Sequence, residues 1–260
     1  MPLPNRDEWI EWDFPVRCAT GRVEGIYPAD KYGFNPSIED TVEDIWNVGG
    51  VLQYLSSPET MDISSSSAND TAMGSGAQTI QLAGVDGNYE PLYETVTLDG
   101  INTVTTSNAF LRVNRMRVQT SGSGSVNEGD ISAVATTAGT NQAQIPALTG
   151  STTKSQFTVP SRYYAVVTSL TLGTLNNDQV ESDLQVRTLN GSWITFYRLD
   201  FVESTFEQIF FSPIVIPPKS DVRQQGVRVA GGGNVRISSY IEFLLIKEEL
   251  LNVNLPRLGF

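Results

Sequence analysis

Short β-forming runs recur along most of this chain, each closed by a glycine, asparagine or proline turn signal at intervals of about 8–12 residues. The runs include Gln78 to Gly84, Glu94 to Leu98, Phe110 to Val118, Ile131 to Thr136, Tyr163 to Leu172, Leu184 to Leu189, Trp193 to Leu199, Phe206 to Phe211 and Val235 to Leu245. No helix-length pattern separates them, so a parallel sheet built from βαβ units is excluded and a sandwich or barrel is required. The expected fold is mostly β: a jelly-roll-like β-sandwich with an extended N-terminal arm and one short helix. Asp99-Gly100 and Asn190-Gly191 each sit between β-forming runs, so each predicts a tight hairpin.

The helix is expected over 36–48. Asn35-Pro36 breaks the preceding chain, Ser37 and Asp40 have capping-box spacing, and Gly49-Gly50 follows. Ile38, Val42, Ile45 and Trp46 would share one face, with Glu39, Asp40, Glu43 and Asp44 solvated on the rest. Residues 1–35 read as an arm, because Pro2, Pro4, Pro15 and Pro28 forbid a long helix while aromatic rings stand among charges without lasting period. The resulting division is an N-terminal anchoring arm with its helix (1–50), a Ser/Gly-rich linker (51–77), a β-sandwich (78–247) and a C-terminal tail (248–260). The sandwich either forms one unit or splits into subdomains 78–136 and 157–247, with 137–156 as a polar loop.

Composition narrows the chemistry. The 260 residues contain no histidine, which removes Ser-His-Asp and Cys-His catalysis and the commonest zinc ligand. Cys18 is the only cysteine, so an intrachain disulfide is excluded and an inert packed thiol is the plain expectation. A net charge of −12 argues against a nucleic-acid partner. No apolar run approaches the ~20 residues that span a bilayer, and the start carries no secretory pattern, so a soluble protein with no membrane partner is expected. Glu90, Glu94 and Asp99 could be taken for a catalytic carboxylate set, but among 29 acidic residues close pairs arise by chance, and turn solvation is the simpler account. Asp86-Gly87-Asn88 lacks the distal ligands of a calcium loop and reads as a turn. Arg112, Arg115, Arg117, Arg223, Arg228 and Arg236 are the concentrated positive charge, and arginines in strands commonly pair with carboxylates. No enzyme activity, cofactor or metal is expected.

Several stretches are similar to virion structural proteins of tailed bacteriophages. Residues 79–118 carry a Gly-x-Asp-Gly turn (Gly84 to Gly87), Glu-x-Val-x-Leu-x-Gly (Glu94 to Gly100), a Thr-rich arm (Thr103 to Thr106) and Phe-x-Arg-Val (Phe110 to Val113). Residues 144–173, 212–227 and 31–50 resemble further segments of such proteins. One departure is Pro160-Ser161-Arg162, where the family pattern has Pro-Ala-Gly. The resemblance implies a non-enzymatic component of the virion, working in symmetric copies as a homo-oligomer against capsid, portal or tail subunits. Large rings on an extended arm bury much area at little entropic cost. The expected partner-anchoring residues are therefore Trp9, Trp12, Phe14, Tyr27, Tyr32, Phe34 and Trp46. The competing expectation is a glycan- or receptor-binding β-sandwich module of a phage fibre, with Trp193 and Tyr197 sharing strand parity as a stacking platform.

Overall fold

The computed structural model describes residues 14–174, 179–202 and 205–251, and all that follows concerns these. The protein is mostly β, with one α-helix, α1 (Phe14–Ala19), and a 3-10 turn at Glu248–Leu250. The strands are β1 (Ile26–Ile38), β2 (Glu43–Asp44), β3 (Met61–Ser65), β4 (Ala77–Val85), β5 (Pro91–Thr97), β6 (Val104–Thr105), β7 (Arg112–Ser121) and β8 (Ile131–Ala135). They continue as β9 (Asn141–Ile145), β10 (Phe157–Thr158), β11 (Tyr163–Thr174), β12 (Gln179–Arg187), β13 (Ile194–Val202), β14 (Thr205–Ile216), β15 (Asp221–Ala230) and β16 (Val235–Lys247).

These strands form four sheets, antiparallel throughout. The first has the order β1-β16-β11-β14 and the second β10-β15-β12-β13, with β2 also paired to β15. Their inward residues close on one apolar core, including Ile38, Val167, Leu170, Leu184, Val222, Ile237 and Phe243. The pairings are nested: β1 with β16, β2 with β15, β11 with β14, and β12 with β13. The third sheet (β6-β3-β8-β9) and fourth sheet (β5-β4-β7) lie between β2 and β10 in the chain. They share a second core around Met61, Ile63, Ile80, Leu82, Phe110, Met116 and Ile145. A two-sheet body thus carries one contiguous insertion with its own interior.

No helix forms over 36–48. Pro36 to Ile38 finish β1, and the following turn is built from side chains that compete with a helical ladder. The Asn35 side chain accepts the Ser37 N–H (2.9 Å) and donates to Glu43 Oε2 (3.0 Å). Asp44, expected on a solvated face, is buried and accepts from the Leu52 N–H (2.8 Å) and Gln225 Nε2 (2.9 Å). Ile38, Ile45 and Trp46 are buried as expected, but Val42 is exposed.

Other boundaries move for similar reasons. Residues 26–38, read as part of an arm, pair with β16 almost end to end. The stretch 51–77, read as a linker, holds β3 and the buried Leu55, Met61 and Ile63. The polar stretch 137–156 contains β9, and Thr152 to Gln156 are buried between the two cores. Asp99-Gly100 does not join two paired strands: β5 pairs with β4, while β6 pairs with β3. Gly100 is instead tied to the 65–70 segment, donating to Asp70 O and accepting from the Ser65 N–H. The Asn190-Gly191 turn does connect paired strands, β12 and β13, with Asn190 at φ 60°. Phe110 is fully buried in the insertion core. Phe110→Ala should lower stability by about 3–5 kcal/mol, read as a shift of the urea unfolding midpoint.

Candidate functional site

Two features stand out: a polar junction between insertion and body, and an uncovered face of the first sheet. At the junction, Asp221 opens β15 with its carboxylate almost fully buried. Arg112 of β7 donates to it through Nε (3.0 Å) and Nη2 (3.2 Å), Arg187 of β12 through Nη2 (2.6 Å), and Thr158 of β10 through Oγ1 (2.6 Å). Arg112 Nη1 also donates to Leu55 O and Leu111 O, both at 2.8 Å. Burial pushes the Asp221 carboxyl up, but the hydrogen bonds and charge of Arg112, with Thr158 and Arg187, hold it below its ordinary value. Rings and guanidinium groups stack beside it. Arg112 and Arg187 lie 4.9 and 4.6 Å from the Tyr54 ring centre, and Arg187 and Arg223 lie 4.6 and 4.0 Å from that of Trp193.

Two buried lysines complete the seam. Lys154 Nζ donates to Val113 O (2.9 Å) and Gln142 O (2.7 Å), and Lys31 Nζ donates to Asn114 O. Burial lowers the Lys154 pKa to about 7, and burial followed by the charge of Arg115 lowers that of Lys31. Arg115 reaches Asp30 Oδ2 at 2.9 Å. The expected pairing of strand arginines with carboxylates therefore holds for Arg112 and Arg115.

The outer face of the first sheet is different in character. Inward residues alternate with outward ones, and the register sets Pro28, Leu244, Val166 and Val215 in one row across all four strands. Tyr32 and Tyr240 are partners two rows further along that face, past the charged pair Asp30 and Glu242, and Phe34 follows on the same parity of β1. At the edge, β14 bulges between Ile209 and Ile214, leaving Phe211 99% exposed and Ile209 56% exposed. The far side of β14 pairs with no strand among the described residues. Exposed large apolar side chains at an unpaired strand edge are the kind of surface that takes part in interactions.

The expected anchoring residues scatter. Trp9 and Trp12 lie outside the described residues. Phe14 is exposed on α1, and Tyr27 is exposed and packs edge-on against Tyr163 at 6.1 Å. Tyr32 and Phe34 belong to the open sheet face. Trp46 is buried within the chain, its indole N–H donating to Gly49 O at 2.8 Å, so it is not free to hold a partner. Trp193 and Tyr197 do not form one platform, because a bulge opposite Leu184/Gln185 separates them. Tyr197 turns inward and meets Phe210 at 5.5 Å. Phe211, Ile209, Val215 and Tyr240 had only strand alternation to signal them, and alternation does not say which face stays open.

The carboxylates considered for chemistry organise loops. Glu94 accepts from the Ser107 and Asn108 N–H groups, Asp86 from those of Asn88 and Glu90, and Glu90 faces Arg162 at 3.7 Å. Among the described residues no three His, Cys, Asp or Glu side chains gather as metal ligands. Cys18 is buried in α1. No described helix is long and apolar enough to cross a membrane.

No protein-family model matches the chain, and no curated protein matches it in sequence. Solved structures with a loose likeness include structures of infectious bursal disease virus. The Gt strain structure is 11% identical with a TM-score of 0.19, covering 88% of this chain and 82% of that one. The Gx strain structure is 11% identical with a TM-score of 0.24, covering 86% and 73%. The T=1 particles derived from the virus give 13% identity and a TM-score of 0.20, covering 86% and 70%. Superpositions that loose do not establish a shared fold or role.

Two outcomes follow from the junction. Asp221→Asn leaves two guanidinium groups without their counter-charge and should cost about 3–5 kcal/mol in urea unfolding at neutral pH. Lys154 is neutral in the folded protein above pH ~7, whereas in the unfolded chain it keeps its proton to about 10.5. The unfolded state therefore binds more protons across that window, and stability should rise with pH from 7 to 10. Lys154→Met should flatten that rise, measured as the urea midpoint against pH.

Proposed function

We propose that this chain is a non-enzymatic structural subunit of a virus particle, assembling with copies of itself through the open face of its first sheet. The observation that carries this is the combination of nested strand pairing with exposed apolar side chains along the unpaired β14 edge among the described residues. We read the eight strands that pair first with last, second with seventh, third with sixth and fourth with fifth across two sheets as a jelly roll, an architecture common among viral coat domains. On this reading the insertion is carried between the second and third strands of the roll. Fold alone does not assign function; the exposed surface is what supports this role.

Phe211, Ile209 and Val215 of β14, with Tyr32 and Tyr240 further across the face, present exposed aromatic and branched side chains of the kind that anchor interfaces. An unpaired 12-residue edge strand adds backbone groups that a neighbouring copy can complete. The resemblance of residues 79–118 and 144–173 to tailed-phage virion proteins supplies the setting: docking of the N-terminal region onto capsid, portal or tail subunits, and a location in the virion. Absence of histidine supports a role without catalysis.

Sedimentation of the purified chain tests this. Wild type should associate as its concentration rises to about 100 μM. The double variant Phe211→Ser, Tyr240→Ser should stay monomeric with an unchanged urea midpoint, since both side chains stand outside the core. A wild type that remains monomeric, or intact particles that lack the protein by mass spectrometry, would refute the assignment.

A further inference from the structure

Beside the Asp221 junction lies a cleft of ≈ 470 Å³ that the assembly role does not use. Its walls come from both units: Tyr54, Ser56 and Tyr89 from the insertion, Arg187, Asn190 and Lys219 from the body. Three cations, Arg112, Arg187 and Lys219, face a single carboxylate, Asp221, so the cleft is positive on a chain whose net charge is −12. Arg112 is held by Asp221 and two carbonyls, but Lys219 Nζ has no hydrogen bond or ion pair among the described residues and stands 5.8 Å from the Tyr89 ring centre.

Backbone geometry concentrates here as well. Six non-glycine residues have φ in the left-handed region, and three of them, Tyr89 (66°), Asn190 (60°) and Lys219 (61°), line this one cleft. Asparagine tolerates that conformation, whereas tyrosine and lysine adopt it only under backbone strain, which recurs at ligand clamps.

We propose that this cleft binds the carboxylate of an acidic saccharide. Lys219 and Arg187 supply charge-assisted donors for the carboxylate. The Tyr89 ring offers a face to the sugar ring, and the Asn190 amide and Ser56 hydroxyl offer polar partners for its hydroxyls. The volume suits one or two sugar rings. The cleft belongs to the second sheet and the insertion, away from the open face of the first sheet, so this assignment stands or falls independently of self-assembly.

Saturation-transfer and titration NMR on the full chain provide the test. The probes are a glucuronic-acid-containing disaccharide, the same disaccharide with its carboxyl reduced to an alcohol, and inorganic phosphate. The uronate should bind in the millimolar range, and the reduced sugar about tenfold more weakly. Lys219→Gly keeps the left-handed backbone and removes the charge, so it should weaken uronate binding about tenfold with no fall in the urea midpoint. The proposal is overturned if wild type does not bind the uronate, if the reduced sugar binds as well, if phosphate alone binds as tightly as the uronate, or if Lys219→Gly leaves binding unchanged.

Discussion

One buried carboxylate fixes how the two halves of this protein meet. Asp221 belongs to the body, yet Arg112, which holds it through two hydrogen bonds, belongs to the insertion, and the same guanidinium clasps the carbonyls of Leu55 and Leu111. Removing these charges from water is costly, and the geometry offsets the cost because the Asp221 carboxylate accepts four hydrogen bonds. Such an arrangement tolerates one placement of β7 against β15 and penalises others. The stacked series Arg112, Tyr54, Arg187, Trp193 and Arg223 extends the constraint across the seam. Lys154, whose ammonium reaches carbonyls of β7 and β9, locks the segment that leads from one core to the other.

Strand content was legible in the chain because alternation of apolar and polar residues is a local property. β4, β7, β8, β11, β12, β13 and β16 all lie close to runs visible in the sequence. What alternation cannot encode is the partner of each strand. Asp99-Gly100 has the composition of a hairpin turn, but the 65–70 segment holds it and β5 turns to β4 instead. The apolar spacing of Ile38, Val42, Ile45 and Trp46 suits a helix, yet Asn35, Glu43 and Asp44 side chains take the hydrogen bonds that a helix would need. Low-complexity stretches misled for a related reason: Ser, Thr and Gln at 152–156 are buried because the junction between two cores is itself polar.

The surface was the least legible part. Tyr32 and Phe34 were recognisable as rings needing cover, but the cross-strand partner of Tyr32, Tyr240, arrives from a strand far along the chain. Trp46 shows the converse case, a ring that the chain covers itself. The cleft at the seam has no sequence signature, since its walls unite residues from 54 to 219 and its left-handed positions depend on the turns that the completed fold imposes.

The pairing of β1 with β16, Ile26 against Ile246, bears on how the molecule comes into being. During synthesis the insertion, whose core draws only on residues 55–145, is complete long before the outer sheets can close. The first strand of the body must wait, with Tyr32, Phe34 and its backbone edge uncovered, until β16 emerges from the ribosome. Contacts so distant along the chain make closure the slow event. In that interval a nascent β1 is open to capture by the corresponding strand of a neighbouring polysome-bound copy.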